Sequence, residues 1–214
     1  VNVSGVVSAS SATKSGGTII LGADTINTTK TASITADAGT NGTGGTISSV
    51  ANVQGNYAGA FSAKGGSKTG DGGKIETSGQ GAVSVDNSLK VNTSAAKGAT
   101  GKWVIDPATL TIDSSNVGTF ESQLNTSNVD LAASTSITLN TNFDTSSQSN
   151  SNTLNFKDED ADGHLTVNLS GQITLGANQH LIGDAEVVNL VAGSLIQNGI
   201  DVAPTTLAKW AAPT

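Results

Sequence analysis

One short run in this chain has the residue types and spacing for metal chemistry: Asp158-Glu159-Asp160-Ala161-Asp162-Gly163. Alternate carboxylates at Asp158, Asp160 and Asp162 can converge on a hard cation, and the glycine permits the sharp turn of a calcium loop. The twelfth position, where an EF-hand places its bidentate glutamate, is Leu169, and no helical pattern flanks the run. The run reads either as a calcium-binding corner or as a solvated acidic turn held by Asx hydrogen bonds. Calcium is the one cofactor the sequence suggests.

Other candidates reduce to structural roles. Trp103 with Asp106-Pro107 has the makings of a sugar platform. The preferred reading instead puts Trp103 in the core, in line with Ile19, Ile47 and Ile75, and Asp106-Pro107 in a turn. Trp210, near the other end, reads as a cap on a final coil. His164 and His180 are the only histidines, and neither has the Cys or His partner of a zinc site. Gly98-Ala99-Thr100-Gly101-Lys102 imitates a phosphate loop, but Ala96 stands where the first glycine belongs and Trp103 where Ser or Thr belongs. Glycoside hydrolysis needs paired carboxylates, and adjacent acids occur only in 158–162. No Gly-x-Ser-x-Gly elbow is present, and all ten basic residues are Lys. The expectation is a protein that is not an enzyme.

The elements that position these residues are set by a repeat. Ser15-Gly16-Gly17-Thr18-Ile19 returns as Thr43-Gly44-Gly45-Thr46-Ile47, and again, after the same interval, as Asp71-Gly72-Gly73-Lys74-Ile75. Thr100-Gly101-Lys102-Trp103 is a weaker fourth copy. Within the first unit, Thr18 to Leu21, Thr25 to Thr28 and Ser33 to Asp37 alternate, so each run has one apolar face that it cannot bury alone. Stacking unit on unit buries it. Ile19, Ile47 and Ile75 are expected to form one inward ladder, and Val6 and Ile34 to begin another. The glycine pairs are expected at corners, where positive φ is tolerated.

These features predict an all-β, right-handed parallel β-helix with about three short strands per coil. About eight coils rising ~4.8 Å each would make a rod of about 40 Å. One solenoid domain over 1–214 is expected, with regular repeats over 1–112, a short helix and loop over 113–128, and less regular coils over 129–214. Phe120 and Leu124 mark the helix, read as decorating a corner, and a second is expected over Thr205 to Ala211. The Ser-rich stretch Thr145 to Asn152 is expected to protrude as a loop.

Composition narrows the setting. Aromatic residues make 3% and charged residues 13% of the chain, with 26 Gly and no Cys. Low charge with few Pro favours many short strands over disorder. Absence of Cys suits a secreted bacterial protein. A net charge of −7 argues against nucleic acid as a partner. No stretch approaches the ~20 apolar residues of a membrane-spanning helix, so no membrane insertion is expected. The chain starts in strand-like Val1-Asn2-Val3 and reads as a mature product or an excised piece.

The segment Gly72-Gly73-Lys74-Ile75-Glu76-Thr77-Ser78-Gly79, followed by Gly101-Lys102-Trp103-Val104-Ile105-Asp106-Pro107, resembles filamentous-haemagglutinin-like and high-molecular-weight adhesins of the two-partner secretion pathway. The match covers about 60–112. The family's amino-terminal secretion domain with its Asn-Pro-Asn motifs is missing, so the chain resembles the passenger fibre. The resemblance implies a secreted surface adhesin stalk of a Gram-negative-type bacterium, with no catalytic residues and with surface glycans or proteins of host or neighbouring cells as partners. A second expectation, drawn from the strand-like first residues, is a homopolymer. In it, open β-helix ends stack into an extracellular filament, because unpaired strand edges invite another strand.

Overall fold

The computed structural model describes residues 1–158, 165–183, 187–190 and 195–196. They wind about six turns of a right-handed parallel β-helix with three faces. The first face stacks Thr18–Thr28, Thr46–Tyr57, Lys74–Gly79, Lys102–Ile105, Asn128–Ala133, Thr153–Asp158 and His180–Gly183. Its inward ladder runs Ile19, Ile47, Ile75, Trp103, Val129, Leu154 and Leu181, in strict register from rung to rung. These seven rungs bound six turns between Ile19 and Leu181, whereas the eight expected coils were counted over the whole of 1–214.

The first two long strands bend onto the second face, with a register shift between Ala23 and Thr25. That face continues through Ala82–Val85, Thr109–Ile112, Ser136–Leu139, Thr166–Leu169 and Val187–Leu190. On the third face Val6–Ser8, Ser33–Thr35, Ala60–Ser62 and Lys90–Asn92 form one stack. Phe143–Asp144, Ile173–Thr174 and Leu195–Ile196 form another.

Three expectations change. The third-face ladder is Val7, Ile34, Phe61 and Val91; Val6 pairs with Ser33 and is 76% exposed. Both members of Val6-Val7 are apolar, so alternation alone does not say which of them points inwards. The repeated Gly pairs do not adopt positive φ, which among the described glycines occurs at Gly42, Gly59 and Gly70. A Cβ on Gly45 would instead collide with the Gly17 carbonyl oxygen, and one on Gly73 with that of Gly45. The pairs lie where stacked backbones approach too closely for any side chain.

The helix, third, does not decorate a corner. Val117–Gln123 occupies the third-face position of its turn, between Lys90–Asn92 below and Phe143–Asp144 above, and divides that face into its two stacks. It performs the pairing a strand would supply. Gln123 Oε1 accepts the Val91 N–H (2.8 Å), and its Nε2 donates to the Leu89 carbonyl (3.4 Å). Its inner face carries Phe120, stacked on Trp103 with ring centres 5.4 Å apart. The Asn116 side chain does not cap the helix; it donates to the Thr111 carbonyl and accepts the Asp113 N–H. The helix expected over 205–211 lies outside the described residues.

The stretch 145–152 does not protrude either. Thr145 and Asn152 are buried, and Asn152 Nδ2 donates to the Leu124 carbonyl at 2.8 Å. Its four serines are exposed, but the hydroxyl and carboxamide at its two ends are buried and hydrogen-bonded, which holds the stretch against the coil.

Candidate functional site

Of the three proposed calcium ligands, Asp158 ends the strand Thr153–Asp158, in register with Ala133. Asp160 and Asp162 lie outside the described residues, as do His164 and Trp210. Among the described residues no group of three or more His, Cys, Asp or Glu is arranged to hold a metal ion. His180 begins a first-face strand opposite Thr153. Trp103 is wholly buried, and its indole N–H donates to Thr77 Oγ1 at 2.8 Å. That burial leaves no ring face for a sugar, and the core reading stands. Tyr57 is likewise interior: its hydroxyl lies 2.6 Å from the Ser49 carbonyl and 2.8 Å from that of Ser78, and burial pushes its pKa up to about 12.

The surface feature with the shape of a site is the corner between the third and first faces. The stacked pairs Gly44-Gly45 and Gly72-Gly73, with Gly101, floor a trough of ≈ 430 Å³. Thr43, Thr46, Lys74, Thr100, Lys102 and Asn128 line it. The volume falls in the range of small-ligand sites. It exists because the backbones must touch at these glycines, which leaves a channel without side chains along the axis. Lys74 Nζ pairs with Glu76 at 3.2 Å and Lys102 Nζ with Asp130 at 3.2 Å. Asn128 Nδ2 donates to the Thr100 and Gly101 carbonyls, while its Oδ1 accepts the Thr153 N–H.

A second depression of ≈ 360 Å³ lies beside it, lined by Asp37, Gly39, Lys64, Gly65, Ser67 and Ser94 among others. Asp37 Oδ1 accepts from the Ser62 hydroxyl (2.6 Å) and the Lys64 N–H (2.8 Å), and its other oxygen pairs with Lys64 Nζ at 3.3 Å.

Glu76 and Asp130 are each bound to a lysine and Asp37 to three donors, so none is poised as a free general base. Ammonium, hydroxyl and carboxamide groups repeating along the rungs suit an extended polar ligand lying along the axis. The glycines of this corner are legible in the sequence, where a turn explains them as well as a trough does. The signal that distinguishes the two is Lys74 and Lys102, which stand at the same position of consecutive repeats.

Three carboxylates with displaced pKa values do structural work in turns. Asp86, Asp113 and Asp144 each stand two residues before a serine, and each accepts that serine's N–H (2.8, 2.8 and 2.9 Å). Hydrogen bonding by that serine holds all three below the usual carboxylate range, and at Asp113 the hydroxyl donates as well, at 2.6 Å. Glu121 on the helix is the reverse case. Its Oε1 accepts the Asp144 N–H at 2.7 Å, yet burial pushes its pKa up, and the nearby Asp144 charge adds to the rise.

No protein-family model matches the chain, and no curated protein or solved structure matches it. Among the described residues no helix is long and apolar enough to cross a membrane.

Proposed function

We propose that this chain is a stalk segment of a secreted bacterial surface adhesin of the filamentous-haemagglutinin-like kind, a stiff rod that holds and presents binding surface rather than an enzyme. The observation that carries the reading is where the adhesin-like motif falls. Gly72–Gly79 forms the corner and first-face strand of one rung, and Gly101–Pro107 those of the next. The motif thus spells out two consecutive coils, which is what a fibre-forming repeat must encode. Stacked coils make a rod whose length grows by ~4.8 Å per turn. The recognition-type corner supports attachment to glycans or proteins of a cell surface, outside the bacterium that secretes it.

Two measurements test this: negative-stain electron microscopy of the purified chain with and without millimolar calcium, and retention of chain-coated beads on cells. Separate short rods, with a length set by about six turns rising ~4.8 Å each, together with bead retention, support the stalk. Long regular filaments replace it with the filament-subunit reading, in which coil ends are the functional surface. Separate rods whose beads wash off overturn the adhesive role. Order that appears only with calcium assigns the metal to the 158–163 run.

A further inference from the structure

The second face differs from the first in what it turns outwards. Its upper stack presents Thr109 and Thr111, Ser136 and Thr138, then Thr166 and Asn168, while Leu110, Ile137 and Val167 between them are buried. No outward position on the described strands of this face is charged. The first face, by contrast, turns Lys74, Glu76, Lys102 and Asp130 outwards.

The two stacks of the second face use their polar groups differently. In the lower one, Asn56 Nδ2 donates to Asn27 Oδ1 at 2.7 Å, and Asn27 Nδ2 to Asn2 Oδ1 at 2.9 Å, so these side chains satisfy each other. In the upper one, no hydrogen bond among the described residues engages the hydroxyls of Thr109, Thr111, Ser136, Thr138 or Thr166. The strands pair there without a register shift, so the outward side chains form two straight files. Neighbours within a file stand ~4.8 Å apart, and the files themselves, two residues apart along the strand, about 6.7 Å. Threonine is stiff at χ1, so the files hold their positions before any ligand arrives. Each threonine also sets a methyl group beside its hydroxyl, and apolar groups restrict the water that covers them.

We infer that this face binds ice, with its two files laid on the oxygen lattice of a crystal face. Ice presents uncharged donors and acceptors in a rectangular net of similar mesh, which suits an uncharged array. Other occupants fit the face less well. All of it, six rungs of ~4.8 Å by four residues of about 3.3 Å, covers on the order of 400 Å². That is half of the ~800 Å² a protein partner contributes to a stable interface. A polyanion finds no cation on it. A sugar ring finds no aromatic platform, because Tyr57, Phe61, Trp103, Phe120, Phe143 and Phe156 are all buried. Ice can use a small contact, since the growing lattice encloses a molecule that rests on it. The inference is independent of the adhesin reading and concerns a different face from the glycine corner.

The test is growth of ice on a cooled surface from a dilute solution of the fluorescently labelled chain, with serum albumin as a protein that ice excludes. Enrichment of the chain in the ice, with faceted crystals in nanolitre osmometry, supports the face. Thr138→Lys sets an ammonium in the middle of the stack, where the lattice offers no counter-charge, and should lower enrichment by about tenfold. Ser48→Lys, the same change at an outward position of the first face, should stay within about twofold. Far-UV circular dichroism of both variants establishes that they fold alike. Exclusion of the unaltered chain from ice, or equal losses in the two variants, overturns the proposal. Tighter retention on microcrystalline cellulose than in ice, lost in Thr138→Lys, also overturns it and gives the face to a crystalline glycan. Bead retention on cells separates the two readings. A chain that ice excludes but whose beads hold to cells loses the ice face alone, and one enriched in ice whose beads wash off loses only the adhesive role.

Discussion

The two halves of this rod close their third corner by opposite means. In the first four coils glycine does it: stacked backbones touch, the Gly45 N–H donates to the Ala36 carbonyl and the Gly73 N–H to that of Ala63, and no side chain intervenes. Beyond the helix, side chains do it. Gln179, fully buried, accepts from Thr145 Oγ1 (2.6 Å) and the Gly176 N–H (3.0 Å), and donates to Gln148 Oε1 (2.7 Å) and Asn150 Oδ1 (3.2 Å). Gln148 Nε2 in turn donates to the Glu121 carbonyl. Backbone contact demands one coil length and one residue type, which is why the period stays constant there. A carboxamide network tolerates loops of different length. The later rungs, stepping from Trp103 to Val129, Leu154 and Leu181 at three different intervals, therefore still stack. Regularity belongs to the half where sterics set the corner.

This contrast can be broken at its joint first. Trp103 and Phe120 tie the last regular coils to the helix, and Trp103→Ala should cost about 3–5 kcal/mol in urea-unfolding free energy, the usual range for a buried aromatic. A loss under about 1 kcal/mol would mean that the two halves do not depend on this contact. Gly73→Ala comes next. Its methyl group meets backbone that cannot swing aside, so a loss of about 2–4 kcal/mol is expected. Gly22→Ala, where nothing lies near the added carbon, should lose less than about 0.5 kcal/mol. Similar losses for the two would remove close approach as the reason for the glycine repeat.

Gln179→Ala tests the other half. Leaving Thr145 and Gly176 without their shared acceptor should cost about 1–3 kcal/mol, and hydrogen exchange should quicken at Gly176 rather than in the glycine corner. The smallest effect, and the only gain, belongs to Glu121→Gln. Burial raises the folded-state pKa of Glu121, so its ionised form costs stability at neutral pH and that cost fades as pH falls through the raised value. The glutamine should therefore raise the melting temperature slightly at pH 7, with the gain shrinking on acidification. A gain that grew in acid would reverse that sign. Asp86, Asp113 and Asp144 act oppositely: their depressed pKa values support folding above the ordinary carboxylate range and lose that support as pH falls through the depressed values. Acid unfolding monitored by tryptophan fluorescence should accordingly set in on the acid side of about pH 4.

Legibility follows the same divide. The inward ladder of Ile19, Ile47, Ile75 and Trp103 is visible because identical spacing repeats an identical environment, and alternation of period two names the buried face. Val6-Val7 hides its phase because both residues are apolar. The cause of the glycine pairs is hidden too, since a turn and a close approach ask for the same residue. In the second half the strands are legible from pairs such as Ile137/Leu139 and Val167/Leu169, but the corner is not. Thr145, Gln148, Asn150 and Asn152 carry loop composition, and only their mutual geometry makes Thr145 and Asn152 interior and leaves Gln148 and Asn150 half-buried.

Alternating apolar residues at a fixed interval have one economical way to bury themselves, so the parallel coil, its period and the ladder that fills it were already specified by the order of the residues. Three outcomes were not. The helix serves as a rung, Gln123 stands in for a strand's backbone, and Lys74 and Lys102 from successive coils line one trough. Each depends on which residues distant in the chain come within a few ångströms of each other once the coils stack, and no local pattern encodes that distance.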